Sequence, residues 1–286
     1  MSKVIGVDIG GSHISAGILS DDGMSIADTD LARGPVNSAG SREEILDAWS
    51  RCILALEIEA DSRLGIAMPA PFDYENGISL MVTQGKYQAL YRSDIRAALA
   101  ERLCLPTKNV TFMNDAAAFL QGEAHVAGWP ASVNLMGITL GTGLGGAFKS
   151  GHLAEDGAIW CIPFKGGIAE DLLSTAYFTR WARTEFGKEV EGLKDLLNDP
   201  QTRAETLSRL KDFAGNLADL ILMLQDSRQS DIDKVVFGGN ILKAEVYFLP
   251  LVREILQQKG FMAELHISKL GEKAAMIGAS SVCIQT

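Results

Sequence analysis

The first residues of the sequence that could bind a ligand lie at the end of an apolar run. There Asp8 is followed by Gly10, Gly11 and Ser12. A glycine turn can aim successive backbone N–H groups at an anion, and glycine has no Cβ to block the approach. Mg²⁺ prefers carboxylate oxygens together with waters that it retains. We therefore predict that Gly10, Gly11 and Ser12 bind a phosphate group and that Asp8 holds Mg²⁺ through water. A turn in which Asp8 caps its own backbone remains open.

A second glycine-rich turn lies in the stretch LGTGLGGAF. It matches G-x-G-x-x-G formally, but a dinucleotide site requires a helix after the glycines, and AFKSGHL here is typical of a strand. The chain also lacks the G-x-x-x-x-G-K-[ST] pattern of a P-loop. A glycine hairpin that binds phosphate remains, alongside a tight turn that binds nothing. The residues predicted to bind phosphate here are Gly141, Thr142, Gly143 and Gly145.

Two further stretches end predicted strands. Gly238, Gly239 and Asn240 follow KVVF, where the glycines would let a flat ring approach the backbone and Asn240 could hydrogen-bond it. Asn114 and Asp115 lie where a strand meets a helix. An aspartate at this place is an ordinary helix N-cap, or it is a base that takes a proton from an attacking alcohol. The local sequence leaves both interpretations of Asp115 open.

Composition excludes several classes of function. The chain has 286 residues, 47% of them hydrophobic, and a formal net charge of −10. Nucleic acids and anionic membranes attract basic patches, so neither is expected as the main partner. The first residues show no signal peptide and no stretch is long enough to span a bilayer, which predicts a cytoplasmic protein. The four cysteines are scattered without a C-x-x-C pair, as expected of reduced, mostly buried thiols rather than a zinc site.

The elements that must position these residues form two similar halves of an α/β protein. Each half begins with a strand, a glycine turn and a strand, and continues with alternating helices and strands. We predict strands within residues 3–32, a helix from about Ser41, an irregular segment at 72–92, and helices at about 168–186 and 204–227. The predicted domains are residues 1–128 and 129–286, with the last helix, from about Glu272, packing back on the first domain.

Taken in order, the segments DIGGS, ND at a helix start, LGTGLGG, FGGN and LGEKAAMIGASSV resemble the ROK family of sugar kinases, which is related to hexokinase, actin and Hsp70. The resemblance covers essentially the whole chain. It implies two lobes of the ribonuclease-H-like kind, with mixed sheets and an interlobe cleft for ATP and a sugar. It also implies that the loop from Asp8 to Ser12 binds phosphate and orders Mg²⁺, and that the loop from Gly141 to Gly145 binds the β- and γ-phosphates. Gly238 and Gly239 would border adenosine, and Asp115 would be the base. By the same resemblance Asn114, Asp115 and Glu170 contact the sugar.

The chain departs from the family pattern between Gly157 and Glu170. Ala158 stands where a sugar-binding glutamate is usual, Cys161 where a histidine is usual, and the cysteines of the family's zinc motif are missing, so zinc is not expected. His152 is expected to be structural. Other residues are candidates to contact the substrate instead. They are Gln84, Lys86, Tyr87, Glu155 and Asp156.

Three functional hypotheses follow. The first is a kinase that uses ATP and Mg²⁺ to phosphorylate a hydroxyl of a sugar, a sugar derivative or a polyol. The second is a non-catalytic protein that senses a sugar or nucleotide, motivated by the missing glutamate and histidine. A small-alcohol kinase of the pantothenate type is a third hypothesis, which the order of the loops disfavours. The family resemblance also allows a homodimer.

Overall fold

The computed structural model of the chain describes residues 2–82, 85–228 and 230–284. The strands are β1 (Val4–Ile9), β2 (His13–Ile18), β3 (Leu31–Pro35), β4 (Arg63–Met68), β5 (Phe72–Asp73), β6 (Ile78–Ser79), β7 (Val110–Asn114), β8 (Leu135–Leu140), β9 (Leu144–Lys149), β10 (Ala154–Asp156), β11 (Pro163–Phe164), β12 (Gly167–Ile168), β13 (Lys234–Gly238) and β14 (Glu264–Ile267). The α-helices are α1 (Arg42–Leu54), α2 (Ile95–Leu103), α3 (Asp115–Val126), α4 (Ala169–Leu172), α5 (Thr175–Phe186), α6 (Leu193–Asn198), α7 (Arg203–Asp226), α8 (Leu249–Gln258) and α9 (Lys273–Ile284). The 3-10 helices are Asp28–Asp30, Gln88–Leu90, Thr107–Asn109, Ile159–Cys161 and Asn240–Tyr247.

The chain divides into two compact units. The first unit contains Met1–Pro130, Leu153–Asp156 and Leu270–Thr286, and the second contains Ala131–His152 and Gly157–Lys269. Each unit is built on a mixed sheet, with an antiparallel pair of strands joined by a glycine turn and further strands running parallel to the first of that pair. The predicted α/β class with mixed sheets is therefore confirmed.

The sheet of the first unit has the strand order β3-β2-β1-β4-β7, in which β1, β4 and β7 are parallel. Helices α1 and α2 cover one face, where Trp49 and Leu99 are fully buried with apolar residues of β1 and β4. Helix α9 packs against β1 and β4, and α3 packs on α9. A Cβ on Gly278 of α9 would lie only 1.8 Å from the carbonyl oxygen of Ala118 in α3. The two helix backbones therefore approach closely, and this packing fixes the start of α3 relative to the sheet.

In the second unit the strand order is β9-β8-β13-β14. The apolar faces of α5, α7 and α8 bury β8 and β13, with Phe178, Phe213 and Phe248 stacked edge to face or tilted in the core. No helix within the described residues combines the length and the apolar character needed to cross a bilayer.

Candidate active site

The sheet register of the first unit brings two of the predicted stretches to one edge. Asp8 of β1 is aligned with Ala67 of β4, which is aligned in turn with Met113 of β7. Because neighbouring strands lie about 4.8 Å apart, the backbones of Asp8 and Met113 are roughly 10 Å apart. Asn114 and Asp115 follow at the carboxyl end of β7. The glycine turn after β1 and the start of α3 therefore share the carboxyl edge of this sheet, which is where ligands of parallel α/β sheets bind.

The first glycine turn has backbone donors that are open to a ligand. The N–H of Gly10 donates to the carbonyl of His13 at 2.9 Å and closes the turn. Gly11 and Ser12 are exposed, and their N–H groups donate to no other described residue. The N–H groups of Gly11 and Ser12 are therefore the ones left for the predicted anion contacts, which stay a prediction. Gly10 supports the turn, and its carbonyl accepts a hydrogen bond from the hydroxyl of Tyr87.

Asp8 lies close to other acidic side chains, which disfavour its charged form. Burial, followed by the nearby carboxylates of Asp115 and Glu272, raises the pKa of Asp8 from 3.8 to about 7, while Arg33 acts in the opposite direction. The guanidinium of Arg33 is itself paired with Glu272 at 3.2 Å. No hydrogen bond among the described residues joins the Asp8 carboxylate to the turn, so the capping interpretation has no support. The uncompensated charge suits a cation.

Mg²⁺ fits this place because it usually binds through one or two carboxylates and keeps several waters. Among the described residues no group of three or more histidine, cysteine, aspartate or glutamate side chains could hold a metal ion by itself. A divalent cation at Asp8 would therefore take its remaining ligands from water or phosphate oxygens. This agrees with the predicted contact through water, and the metal role of Asp8 stays a prediction.

Asn114, and not Asp115, is the N-cap of α3. The Oδ1 of Asn114 accepts a hydrogen bond from the N–H of Ala117 at 3.0 Å, and its amide nitrogen donates to the hydroxyl of Tyr74 at 3.2 Å. Asp115 is the first residue of the helix, and its Oδ1 accepts from the N–H of Ala116 at 2.8 Å. The capping interpretation of Asp115 is therefore wrong. Asn114 is committed to the helix start, and its predicted sugar contact stays a prediction.

The surroundings of Asp115 favour its protonated form. Burial raises the pKa of Asp115 most strongly, and the carboxylate of Asp156 raises it further, whereas Lys86 lowers it. Asp156 reaches this neighbourhood because β10 belongs to the first unit, where the side-chain carbonyl of Gln121 in α3 accepts a hydrogen bond from the N–H of Ala154 at 2.9 Å. A carboxylate whose pKa is raised is a stronger base once it is ionised. The role of Asp115 as the base stays a prediction.

The second glycine turn is held by two distant residues. The N–H of Gly141 donates to Gly143 at 3.0 Å, and the carbonyl of Gly141 accepts from both the N–H and the hydroxyl of Thr175 at 2.8 Å. The Oε2 of Glu170 accepts from the N–H of Leu144 at 2.8 Å. Within the described residues, the N–H groups of Thr142 and Gly143 donate to nothing, so they are the donors that remain for an anion.

Two predicted residues of this region have a different setting from the one expected. Gly145 lies within β9, opposite Thr139, and not in the turn itself. Glu170, which was predicted to contact the sugar, packs against the turn. A Cβ on Gly143 would lie only 2.6 Å from the Oε2 of Glu170. Sequence reasoning did not find this role for Glu170, because no local spacing connects it with a turn 26 residues earlier. Its sugar contact stays a prediction.

Close packing requires a glycine at the second position of the Gly238–Gly239 pair. Gly239 adopts a positive φ of 95°, and a Cβ there would lie 2.3 Å from the carbonyl oxygen of Leu140. Because Leu140 directly precedes Gly141, the Gly238–Gly239 backbone lies beside the second glycine turn. Asn240 is exposed at the start of a 3-10 helix. These positions leave the predicted adenosine contacts untested.

The segment that departs from the family pattern is partly exposed. Ala158 has a left-handed backbone with φ of 45°, and the thiol of Cys161 donates to its carbonyl at 3.3 Å. Cys161 and Cys104 are both exposed, so the prediction of mostly buried thiols is wrong for two of the four cysteines. His152, Glu155 and Asp156 are exposed as well. Gln84 lies outside the described residues.

Comparison with known proteins identifies the family of the chain. The model of the ROK family matches residues 4–159, more than half of the chain. The chain is 26% identical to a glucokinase of Thermotoga maritima over 98% of this chain and 96% of that protein. It is 25% identical to an N-acetylmannosamine kinase of Haemophilus influenzae, over 97% and 94% respectively.

Solved structures share the fold. A ROK family glucokinase from Streptomyces griseus, in complex with glucose and AMPPNP, aligns over the full length of both chains with a TM-score of 0.75 and 21% identity. At that identity the alignment is evidence for the fold, while the family model carries the assignment of the family. The chain therefore belongs to the ROK family.

Proposed function

We propose that this protein is a sugar kinase, which transfers the γ-phosphoryl group of ATP to a hydroxyl of a sugar or sugar derivative. The observation that carries the proposal is the carboxyl edge of the first sheet. There Asp115, the first residue of α3 and not its N-cap, shares the edge with a glycine turn whose N–H groups are open to an anion. The kinases named among the relatives support the same reaction class.

In the proposed reaction, Asp115 accepts the proton of the sugar hydroxyl as its oxygen forms a bond to the γ-phosphorus. The bond between that phosphorus and the bridging oxygen breaks, and ADP leaves with the electron pair. The N–H groups of Gly11 and Ser12 orient the phosphoryl group, and those of Thr142 and Gly143 bind phosphates of the nucleotide. Positioning and charge stabilisation supply most of the catalysis in such transfers. Mg²⁺ held by Asp8 would neutralise phosphate charge.

We infer that the acceptor pocket differs from that of an ordinary hexose kinase. Ala158 and Cys161 lack the carboxylate and imidazole that the family pattern leads one to expect, and losing one charge-assisted hydrogen bond costs about 1.5–3 kcal/mol. Asp156 is the carboxylate that acts on both Asp115 and Tyr74, whose pKa values it raises. A substrate hydroxyl that bonds to Asp156 would replace the missing contact. Glucose and N-acetylmannosamine are the first acceptors to compare.

The test is an assay of ADP release over a panel of hexoses, amino sugars, N-acetylated sugars and polyols. The wild type should give ATP-dependent product with at least one acceptor. Asp115→Asn should keep the fold and bind ATP, yet lose about 10²–10⁴-fold in rate, the usual contribution of a positioned base. Asp61→Asn, at an exposed aspartate of the same unit, serves as the matched control. Unchanged turnover by Asp115→Asn would remove that residue from the mechanism.

A second candidate function is a non-catalytic sensor of a sugar or nucleotide, favoured by the presence of Ala158 and Cys161 at the two substituted positions. A sensor would bind ligand in calorimetry and form no sugar phosphate with any acceptor of the panel. Robust product formation excludes it.

Other expectations belong to this proposal as well. We propose a cytoplasmic enzyme without nucleic acid or zinc as a partner, and a homodimer in line with the family resemblance. Sedimentation velocity measures the assembly state, and metal analysis of the purified protein measures bound zinc.

A further inference from the structure

A lysine outside the glycine turns is anchored beside the first of them. Lys86 lies in the segment between β6 and α2 and is half-buried. The next residue, Tyr87, is fully buried, packs edge to face on Trp49 at 5.2 Å between ring centroids, and donates its hydroxyl to the carbonyl of Gly10. The N–H of Tyr87 donates to Ser38 at 2.7 Å. These contacts attach the segment to the turn from Gly10 to Ser12.

The backbone at Tyr87 is in the left-handed region, with φ of 57°. A residue other than glycine keeps this conformation only where its surroundings determine it. The position of Lys86 relative to the first turn is therefore set by packing and by the hydroxyl of Tyr87.

The Lys86 side chain extends over the turn. Its Cδ lies 3.7 Å from the place that a Cβ on Gly11 would occupy, so the ammonium, two bonds further out, is within reach of a group bound at the N–H of Gly11. The same side chain acts on Asp115, whose pKa it lowers. Lys86 therefore stands near the two groups that the proposed reaction uses, the phosphate-binding turn and the base.

The charge of Lys86 is not committed elsewhere in the described part of the chain. Its ammonium forms no salt bridge with a described carboxylate, whereas Arg33 is paired with Glu272 at 3.2 Å and Lys273 with Asp28 at 2.5 Å. The site already contains the carboxyl groups of Asp8 and Asp115, and a bound phosphate would add further negative charge. A cation at this edge is needed to offset it, and Lys86 is placed to provide one.

We propose that Lys86 is a further catalytic residue, whose ammonium donates a hydrogen bond to the γ-phosphoryl group at the turn of Gly10, Gly11 and Ser12. The inference rests on the proposed kinase function. While the bond from the sugar oxygen to phosphorus forms and the bond to ADP breaks, the proton of the hydroxyl goes to Asp115. Lys86 keeps its own proton and stabilises the charge on the non-bridging oxygens.

The test compares two nucleotides by calorimetry with Mg²⁺ present, ADP and the non-hydrolysable ATP analogue AMPPNP. Lys86→Met should weaken AMPPNP binding about 10–100-fold, the usual range for one charge-assisted hydrogen bond, and leave ADP binding within about twofold. Lys86→Arg keeps the charge and should recover most of the AMPPNP affinity. The matched control is Lys108→Met, at an exposed lysine that precedes β7 and so lies at the opposite edge of the sheet. It should bind both nucleotides like the wild type.

Equal AMPPNP affinity for wild type and Lys86→Met would overturn the inference, and so would an equal loss of affinity for both nucleotides, which is what a structural role gives. Turnover separates this inference from the function on which it rests. If the wild type forms no sugar phosphate but the selective loss of AMPPNP binding is found, the phosphate contact of Lys86 stands and the kinase function fails. If the wild type is active and Lys86→Met has the same kcat and KM for ATP, the assignment of Lys86 alone fails.

Discussion

Replacing Asp8 with asparagine should make the ligand-free protein more stable at pH 8 and change its stability little at pH 4.5. The pKa of Asp8 is raised from 3.8 to about 7 in the folded protein by burial and by Asp115 and Glu272. In the unfolded chain the same carboxyl titrates at its ordinary value, so between these pH values the folded state binds more protons. Stability then falls as pH rises through this window. Asparagine carries no charge and removes the penalty.

The magnitude follows from the two pKa values. The folded and unfolded pKa values differ by about 3, and a pKa difference of one corresponds to ~1.4 kcal/mol. The charged carboxyl therefore lowers the free energy of unfolding by roughly 4 kcal/mol once pH exceeds 7. Asp8 is half-buried, and solvent screening at its exposed edge reduces the expected gain to about 2–4 kcal/mol. For a chain of this size each kcal/mol changes Tm by about 2 °C. Asp8→Asn should therefore melt roughly 4–8 °C higher at pH 8, and the gain should largely vanish at pH 4.5.

Circular dichroism melts of both proteins, without Mg²⁺ or nucleotide, measure this at several pH values. Asp22→Asn is the control of opposite sign, since hydrogen bonds from Ser20 and from the N–H of Met24 lower the pKa of that exposed carboxyl. It should bring no gain at pH 8. The reasoning is refuted if Asp8→Asn gives the same difference in Tm at both pH values, or if it lowers Tm at pH 8. Adding Mg²⁺ with AMPPNP should stabilise the wild type at pH 8 more than Asp8→Asn.

Two further substitutions test the supports of the site. Gly278→Ala should lower the free energy of unfolding by about 1–3 kcal/mol, because the new Cβ would lie 1.8 Å from the Ala118 carbonyl oxygen; a urea titration measures this loss. It should also reduce kcat, because the displaced helix α3 begins at Asp115. Gly215→Ala in α7, where nothing lies within 4 Å of the new Cβ, should instead stabilise the protein by about 0.5–1 kcal/mol. Glu170→Ala should weaken ADP binding about tenfold in calorimetry by releasing the N–H of Leu144, and Glu170→Gln, which keeps an acceptor, should weaken it less. Stronger ADP binding by Glu170→Ala would show that this carboxylate repels phosphate instead of shaping the turn.

Local patterns predicted the parts of the fold that local interactions determine. The hydroxyl of Ser41 accepts from the N–H of Glu44 at 3.3 Å, and the Glu44 carboxylate accepts from the N–H of Ser41 at 2.7 Å. This capping box confirms the predicted start of α1. The antiparallel pairs around both glycine turns are confirmed for the same reason, since a strand, a turn and a strand are close in sequence.

Boundaries that depend on distant residues were predicted wrongly. Strands were expected within residues 3–32, but Asp28–Asp30 is a 3-10 helix, and the third strand, Leu31–Pro35, runs beyond that range and pairs with β2. The helix predicted over residues 168–186 is interrupted after Leu172. It restarts at Thr175, whose N–H and hydroxyl bind the carbonyl of Gly141, a contact that no local pattern reveals.

The candidate site shows the same division. Asp8 and Asp115 could be found from local signals, because Asp8 lies near the end of a strand that leads into a glycine turn and Asp115 begins a helix directly after a strand. The cap of α3 falls on Asn114 because its side chain reaches the N–H of Ala117, a choice that two adjacent capping residues do not settle from sequence. The roles of Glu170 and Lys86 depend on contacts across 26 and 75 residues of chain, with Leu144 and Gly11 respectively. Residue types made them candidates, and only the fold gives them a position.

The electrostatics at the sheet edge also bear on which of the two functions this chain has. Asp8 and Asp115 raise the energy of the folded state, because burial favours the protonated form of each, and Asp115 adds to this effect at Asp8 while Asp156 adds to it at Asp115. A protein that only senses a nucleotide can use a carboxylate such as Asp8 for Mg²⁺, but it gains nothing from a second buried carboxyl held close to the first. A kinase needs that second carboxyl, because a raised pKa lets it take a proton from an alcohol near neutral pH. The destabilising arrangement is therefore better explained by phosphoryl transfer than by binding alone.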